Sequence, residues 1–178
     1  MIISQDKILM KKVINGDTNA FEVLMLKYRA VSISYANKFL KDYYEAEDIV
    51  QESFAKIYIR RNDYCFDKSF KAYLFTIIKN KSIDCIRKKQ GLLKINIKDV
   101  FLNYDIEDPL DVITNNESYK ELLELLNILK PVHRTIFVMY EVEGFSYKEI
   151  AQITEQSLAQ IKVSIYRSRK KLLKIRED

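Results

Sequence analysis

Hydrophobic residues recur at helical spacing along most of the chain and predict helices separated by short polar breaks. The first helix lies within residues 1–15 and ends at Gly16, and a second follows the capping residue Asp17. Patterns of the same period also cover residues 46–58, 70–89, 119–129 and 131–143. The chain has only three glycines and two prolines, and most of them stand at the breaks. The pattern therefore predicts an all-α protein.

Residues 144–174 predict two helices joined by a tight turn, the second of them strongly basic. Ser146 and Glu149 form an S-x-x-E capping box at the start of the first helix, and Ser157 is expected to cap the second. The apolar face of the second helix consists of Leu158, Ile161, Ile165 and Leu172. Two packed helices with a cationic outer face are typical of a helix-turn-helix, whose second helix enters the DNA major groove. A solvated basic helix fits the same pattern.

Charge is concentrated in separate parts of the chain. The net charge is +5, and the cations cluster at residues 79–89 and 162–174. Residues 99–111 are acidic and lose the helical period, which predicts a linker between two domains. An acidic and polar face also lies early in the chain: Glu45, Glu47, Asp48, Gln51 and Glu52. Acid near a helix start is favoured by the helix dipole, so this patch also has a purely structural interpretation.

Residues 61–69 interrupt the helical period and predict a polar loop that contains aromatic rings. The helix after this loop combines further rings with a row of cations, which are the ingredients of single-strand binding. The aromatic residues concerned are Tyr64, Phe66, Phe70 and Tyr73. For each of them, burial in the core is the competing interpretation.

The sequence gives little support for catalysis, metal binding or secretion. Cys65 and Cys85 form no C-x-x-C pair, and His133 has no neighbours that would build a zinc site or a catalytic triad. We expect no metal and no cofactor. The first residues lack the apolar segment of a signal peptide, and no apolar run approaches membrane-spanning length. We therefore expect a cytoplasmic protein without membrane insertion.

Four segments, in this order, carry a resemblance to a known family: GDTNAFEVLMLKY, EAEDIVQESFAKIY, FKAYLFTIIKNKSIDCIRKK and LKPVHRTIFVMYEVEGFSYKEIAQITEQSLAQIKVSIYRSRKKL. They span nearly the whole chain and resemble the bacterial sigma factors of the extracytoplasmic-function (ECF) group, in the sigma-70 family. The resemblance implies two small helical domains, namely a three- to four-helix bundle called region 2 at 1–90 and a four-helix domain called region 4 at 117–178. An acidic linker at 91–116 would join them.

Members of this family are not enzymes; they bind core RNA polymerase, bring it to a promoter and help to open the DNA there. The resemblance therefore implies three partners: core RNA polymerase through its beta-prime and beta subunits, promoter DNA, and an anti-sigma factor. The alternative function is a stand-alone helix-turn-helix regulator whose N-terminal domain binds a partner. Operator binding by the pure protein without polymerase would favour that alternative.

The resemblance assigns roles to three groups of residues. Those on the helix that grips a coiled coil of the largest polymerase subunit are Asp48, Gln51, Glu52 and Phe54. Those expected to bind the minus-ten element as a single strand, with one base flipped into a loop pocket, are Tyr64, Phe66, Lys71, Tyr73, Asn80, Arg87 and Lys88. Those expected to bind the duplex minus-thirty-five element are Ser157, Gln160, Lys162, Val163, Tyr166 and Arg167.

Three departures from the family pattern carry expectations of their own. Glu155 stands where the family's turn usually has glycine, so a non-glycine residue is expected to adopt a left-handed conformation. Val163 and Ser164 replace a common Ser-Arg pair, which predicts a different minus-thirty-five preference or weaker binding. Tyr73 replaces the usual tryptophan and keeps a ring of smaller area.

Overall fold

The computed structural model describes residues 4–91 and 125–177, and all the regular secondary structure of this part is helical. The chain divides into two compact units, Met1–Leu93 and Lys94–Asp178. The helices of the first are α1 (Gln5–Ile14), α2 (Thr18–Leu40), α3 (Tyr43–Ile59) and α4 (Phe70–Gln90), and those described in the second are α5 (Pro131–Glu141), α6 (Tyr147–Thr154) and α7 (Leu158–Glu177). The predicted all-α fold is confirmed. Apart from Gly91, the predicted linker lies outside the described residues, as does the start of the helix predicted at 119–129.

Side-chain caps begin the three long helices of the first unit. Asp17 accepts a hydrogen bond from the backbone of α2 at 3.0 Å, Asp42 from that of α3 at 3.1 Å and Ser69 from that of α4 at 3.0 Å. Each cap satisfies an amide that has no partner inside its helix, which is typically worth about 1 kcal/mol. These short polar residues therefore fix where each helix starts.

Aromatic side chains fill the interface where α2 packs against α3 and α4. The ring of Phe21 meets that of Phe54 edge-on at 6.2 Å, and the ring of Tyr35 meets that of Phe75 at 4.9 Å. Such pairs contribute about 0.5–1.5 kcal/mol beyond the area that they bury. Because α3 and α4 turn these faces inward, most of their charged residues lie on the opposite, outer faces, with Glu47 and the buried Lys79 as exceptions.

Helix α1 is attached to α2 through a buried carboxylate. Asp6 is 8% exposed and accepts hydrogen bonds from the Lys27 ammonium and the Tyr28 hydroxyl, both at 2.5 Å. Burying a charge without such partners would be costly. The pair of donors therefore holds α1 against the bundle.

In the second unit, α5, α6 and α7 pack around a small apolar core. Leu126, Leu129 and Val138 form a buried cluster against which Leu172 packs, and Ile161 is fully buried. Ile165 is buried as well. The predicted apolar face of α7 is therefore confirmed for Ile161, Ile165 and Leu172. Leu158 is 37% exposed, contrary to the prediction, because it occupies the first position of the helix, next to the turn.

The turn between α6 and α7 has the conformation that the sequence predicts. Ser146 and Glu149 form the reciprocal capping box at the start of α6, with hydrogen bonds of 3.3 and 2.8 Å. Glu155 ends α6 in the left-handed region at φ 58°, and its amide donates to the carbonyl of Ala151. A glutamate thus holds the position at which glycine would be least strained.

Replacing Glu155 with glycine should stabilise the second unit. A left-handed conformation costs a non-glycine residue about 1–2 kcal/mol, and glycine would relieve this strain. Part of the gain is lost because glycine loses more backbone entropy on folding. We expect Glu155→Gly to raise the free energy of unfolding by about 0.5–1 kcal/mol in urea denaturation of the full chain. Glu149→Gly is the control and should lower it, because this change removes the capping box. A loss of stability in Glu155→Gly would contradict this account.

Candidate functional site

The outer face of α3 presents three of the four residues predicted to contact core polymerase. Asp48, Gln51 and Glu52 are exposed. Phe54 is only 2% exposed, and its ring packs on Phe21. Phe54 therefore belongs to the inward face of α3, beneath the surface that the other three residues form, and its direct contact with polymerase stays a prediction.

A shallow groove of about 590 Å³ runs beside this face, and the sequence patterns did not reveal it. It lies between α2 and α3 and is lined by Thr18, Phe21, Met25, Arg29, Gln51, Phe54, Ala55 and Tyr58. Two exposed apolar residues follow lining residues in the chain: Leu26, after Met25, is 73% exposed, and Ile59, after Tyr58, is 76% exposed. These two residues do not line the groove themselves, so the sequence carries no direct signal for it.

Ion pairs neutralise much of the acidic face of α3. Glu45 accepts from the Lys89 ammonium at 2.7 Å, Glu47 pairs with Arg29, and Glu52 pairs with Lys81. Among the ion pairs of the described residues, none involves the exposed Asp48. The acidic patch is therefore narrower than the sequence suggests, and Asp48 is its most available carboxylate.

The same contacts shift the pKa values of the groups involved. Hydrogen bonds from Lys89 and from the Cys85 thiol lower the pKa of Glu45, and the hydrogen bond from Lys81 lowers that of Glu52. Burial and the contact with Glu45 raise the pKa of Cys85 to about 11. The thiol is therefore protonated at neutral pH and is a poor nucleophile.

The predicted single-strand loop is organised around Tyr64, which is buried. A short 3-10 turn (Arg61–Asp63) precedes this residue. Tyr64 is 5% exposed, its hydroxyl donates to the carbonyl of Lys68 at 2.9 Å, and burial raises its pKa to about 12. Its ring also packs on Phe66 and Tyr73 at 5.0 and 5.5 Å. The prediction that Tyr64 contacts a base is corrected, because the residue closes the loop from inside.

The other residues predicted for the minus-ten strand reach the surface to different degrees. Asn80 and Lys88 are exposed, whereas Phe66, Lys71, Tyr73 and Arg87 are partly buried. Arg87 also pairs with Asp84 at 3.2 Å. Phe66 and Tyr73 therefore remain the rings on which a base could stack.

The basic stretch of α4 is not entirely on the surface. Lys79 is fully buried, although the sequence places it in the predicted basic cluster. It lies four residues after Phe75 and three before Ser82, both buried, so it shares their face of the helix. Lys81 and Lys89 already pair with carboxylates of α3. The cationic surface of α4 is consequently smaller than its composition implies.

All six residues predicted for duplex binding are exposed on or beside α7: Ser157, Gln160, Lys162, Val163, Tyr166 and Arg167. Two of them also form a capping box that the sequence reasoning missed. The Gln160 amide donates to Ser157 Oγ at 3.2 Å, and the Ser157 amide donates to Gln160 Oε1 at 2.8 Å. The S-x-x-Q spacing was the signal. The side chain of Gln160 therefore keeps its NH₂ group and one lone pair of Oε1 for other partners.

His133 joins α5 to α7. Its Nδ1 lies 2.6 Å from Ser164 Oγ. Burial lowers its pKa, and the nearby cations of Lys130 and Arg167 lower it further. The residue is therefore neutral near physiological pH.

Within residues 4–91 and 125–177, no group of three or more His, Cys, Asp or Glu side chains is placed to hold a metal ion. Among the helices of this part, none is long and apolar enough to cross a bilayer.

A helix-turn-helix whose second helix exposes cations and rings has the form of a DNA-binding domain. Two family models match the chain, Sigma-70 region 2 at residues 24–91 and Sigma-70, region 4 at residues 119–172. Together they cover more than half of the sequence. The chain belongs to the sigma-70 family of RNA polymerase sigma factors.

Curated relatives match over nearly their whole length. The RNA polymerase sigma-H factor of Pseudomonas aeruginosa is 27% identical over 174 residues, covering 93% of this chain and 90% of that protein. The ECF RNA polymerase sigma factor SigW of Bacillus subtilis is 26% identical over 184 residues, covering 94% and 95%. The chain is thus a sigma factor of the ECF group that directs transcription initiation, and it is not an enzyme.

Solved structures show the same fold. CnrH in complex with the cytosolic domain of CnrY matches with a TM-score of 0.64 and 22% identity over 98% of both chains. The sigma factor RpoE in complex with the anti-sigma factor NepR from Bartonella quintana matches with a TM-score of 0.58 and 21% identity, covering 88% of this chain and 96% of that one.

The Glu45 ion pair makes stability depend on pH in a defined direction. The pKa of Glu45 is lowered from 4.5, so its contribution is present above that value and is lost as pH falls through the lowered pKa. We expect Glu45→Gln to be less stable than wild type at neutral pH and equally stable in acid, as measured by denaturant unfolding at several pH values. Lys89→Met should show the same loss. A difference that persists unchanged into acid would contradict the assignment.

Proposed function

We propose that this sigma factor distributes its three contacts over three surfaces. The exposed face of α3 around Asp48 binds core RNA polymerase, the loop at 61–69 with α4 binds the melted minus-ten strand, and α7 binds the duplex minus-thirty-five element. The single observation that carries this proposal is the separation of charge, with an exposed carboxylate on α3 that pairs with no described residue and exposed cations on α7. Complementary charge favours the correct partner at each surface and repels the wrong one.

The core-binding surface combines charge with apolar area. Asp48, Gln51 and Glu52 supply polar contacts to a basic element of the beta-prime subunit. The groove beside them, with Met25 and Tyr58 in its wall, offers room for an apolar side chain of the partner. Phe54 holds α3 in place and also lines the groove, so its truncation would weaken binding through both effects.

Reversing the charge of Asp48 tests this surface. We expect Asp48→Lys to lower the affinity for core polymerase at least tenfold, because it places a cation against a basic element. The measurement is a binding titration without promoter DNA, so contacts to the minus-ten strand make no contribution. Asp67→Lys is the matched control, because it makes the same change at an exposed loop position. Equal affinity of wild type and Asp48→Lys for core polymerase would contradict the assignment of this face of α3 to polymerase binding.

The minus-ten surface is proposed to use fewer residues than the sequence suggested. Phe66 and Tyr73 supply rings for stacking, and Lys71, Asn80 and Lys88 supply polar or charged contacts to the strand. Arg87 shares its charge with Asp84. Tyr64 shapes the loop that would receive a flipped base, and the buried hydroxyl fixes that shape.

The minus-thirty-five surface separates contacts that read bases from contacts that hold phosphates. Val163 and Tyr166 are 46% and 66% exposed and suit apolar contact with thymine methyl groups. Lys162 and Arg167 are suited to phosphates. The capping box leaves Ser157 and Gln160 in fixed positions at the start of the helix.

This division predicts two different mutant phenotypes in the holoenzyme. Lys162→Ala should weaken promoter binding in a salt-dependent way and reduce the slope of log affinity against log salt by about one, because one phosphate contact is lost. Val163→Ala should change the preferred minus-thirty-five sequence and leave the salt slope unchanged. Filter binding across a salt series measures both. Identical slopes for wild type and Lys162→Ala would contradict the phosphate assignment.

The domain limits, location and further partner are also part of the proposal. We assign region 2 to residues 1–90, the linker to 91–116 and region 4 to 117–178, and we place the protein in the bacterial cytoplasm, where polymerase works. Contacts to the polymerase include the beta subunit as well as beta-prime. An anti-sigma factor is expected to cover exposed apolar residues such as Leu26, and the RpoE–NepR complex supports this by analogy of fold.

Run-off transcription from a genomic library tests the function as a whole. Core polymerase with this protein should initiate at a defined set of promoters, and core polymerase alone should not. The alternative, a stand-alone helix-turn-helix regulator, predicts specific DNA binding by the pure protein and no new transcripts when it is added to core.

A further inference from the structure

A cationic cavity on the second unit stands apart from the base-reading end of α7. It has a volume of about 220 Å³ and lies between the start of α5 and the middle of α7. Its described lining is Leu129, Lys130, His133, Arg167, Ser168 and Lys171. Three of these six residues are permanent cations, and none of the six is acidic.

The geometry of the lining concentrates this positive charge. Lys130 and Arg167 lie close enough to His133 to lower its pKa, although they come from different helices. The Lys171 ammonium is held at the cavity by a hydrogen bond of 2.7 Å to the carbonyl of Ile128. Like charges brought together in this way repel one another unless an anion lies between them.

Ser168 provides an independent indication of a ligand. It is 2% exposed, it lines the cavity, and its Oγ finds no hydrogen-bond partner among residues 4–91 and 125–177. A helical hydroxyl commonly bonds to the carbonyl four residues earlier, as Thr154 does with Ile150 at 2.7 Å. A buried hydroxyl without a partner is unfavourable. An oxyanion in the cavity would supply the missing acceptor.

We propose that this cavity is a binding site for a phosphate group, held by Lys130, Arg167 and Lys171 and hydrogen-bonded by Ser168. Guanidinium and ammonium groups are the usual partners of phosphate oxygens, and a charge-assisted hydrogen bond is roughly twice as strong as a neutral one. The phosphate comes either from the DNA backbone beside the recognition helix or from a free phosphorylated ligand. Only the DNA source rests on the function proposed above.

The first arm of the test uses inorganic phosphate and the full chain. His133 is the only histidine, so the Hε1 signal of its imidazole is assigned without ambiguity and reports on the cavity. We expect phosphate to shift this signal saturably at constant ionic strength, whereas chloride does not. Lys130→Met and Ser168→Ala should weaken phosphate binding, by about tenfold for the lost charge and several-fold for the lost hydroxyl.

Lys170→Met is the matched control, because it removes one charge from the same helix at a position that does not line the cavity. This variant should bind phosphate as wild type does. Ser168→Ala removes one buried oxygen atom and leaves the charges in place, so it remains informative if Lys130→Met fails to fold. An unshifted His133 signal, or equal weakening in Lys170→Met and the cavity variants, would overturn the proposal.

The second arm distinguishes the two sources. A duplex from a promoter that the holoenzyme transcribes is added to the phosphate-loaded chain, with native or with neutral methylphosphonate linkages. Displacement of phosphate by the native duplex alone identifies the DNA backbone as the ligand. Retention of phosphate in the presence of both duplexes identifies a free phosphorylated ligand. Failure of the transcription assay would leave the first arm intact, so failure of the cavity proposal and of the proposed function can be told apart.

Discussion

The packing of α3 and α4 against α2 is the interaction on which the functional surfaces depend. Buried rings such as Phe54 and Phe75 fix the rotation of these helices, and each such side chain contributes roughly 1.5–3 kcal/mol through burial. Once the apolar faces are turned inward, the pattern of the sequence decides which charges point outward. Asp48 on α3 and Lys88 on α4 are exposed for this reason. Substitutions in the core would therefore alter binding without touching a partner.

Opposite charges on neighbouring helices limit how much of each surface is available. The α3 carboxylates of Glu45 and Glu52 are paired with Lys89 and Lys81 of α4. An exposed pair of this kind contributes a small but measurable amount to stability. It also removes charge from the two faces assigned to polymerase and to single-stranded DNA. A basic element of the polymerase that binds α3 would compete with the lysines of α4 for these carboxylates. Docking on polymerase would thereby leave these lysines more available to nucleic acid.

Periodicity and capping residues predicted the helices well, because both are local properties of the chain. Ser146, Glu149 and the left-handed Glu155 were correctly anticipated from a few neighbouring residues. Errors arose where a residue's environment depends on distant parts of the chain. Phe54 and Tyr64 carry rings that are equally suited to a core and to an interface, and only tertiary packing places them inside. The groove between α2 and α3 escaped detection for the same reason, since two separate helices form it.

The central claim is that the exposed face of α3 around Asp48 binds polymerase, whereas α7 binds duplex DNA. Site-specific photo-crosslinking within one open promoter complex tests it directly, with the reactive group placed at Asp48 in one preparation and at Tyr166 in another. The account predicts a crosslink to the beta-prime subunit from position 48 and a crosslink to the minus-thirty-five duplex from position 166. Crosslinking of position 48 to DNA, or of position 166 to polymerase alone, would contradict it.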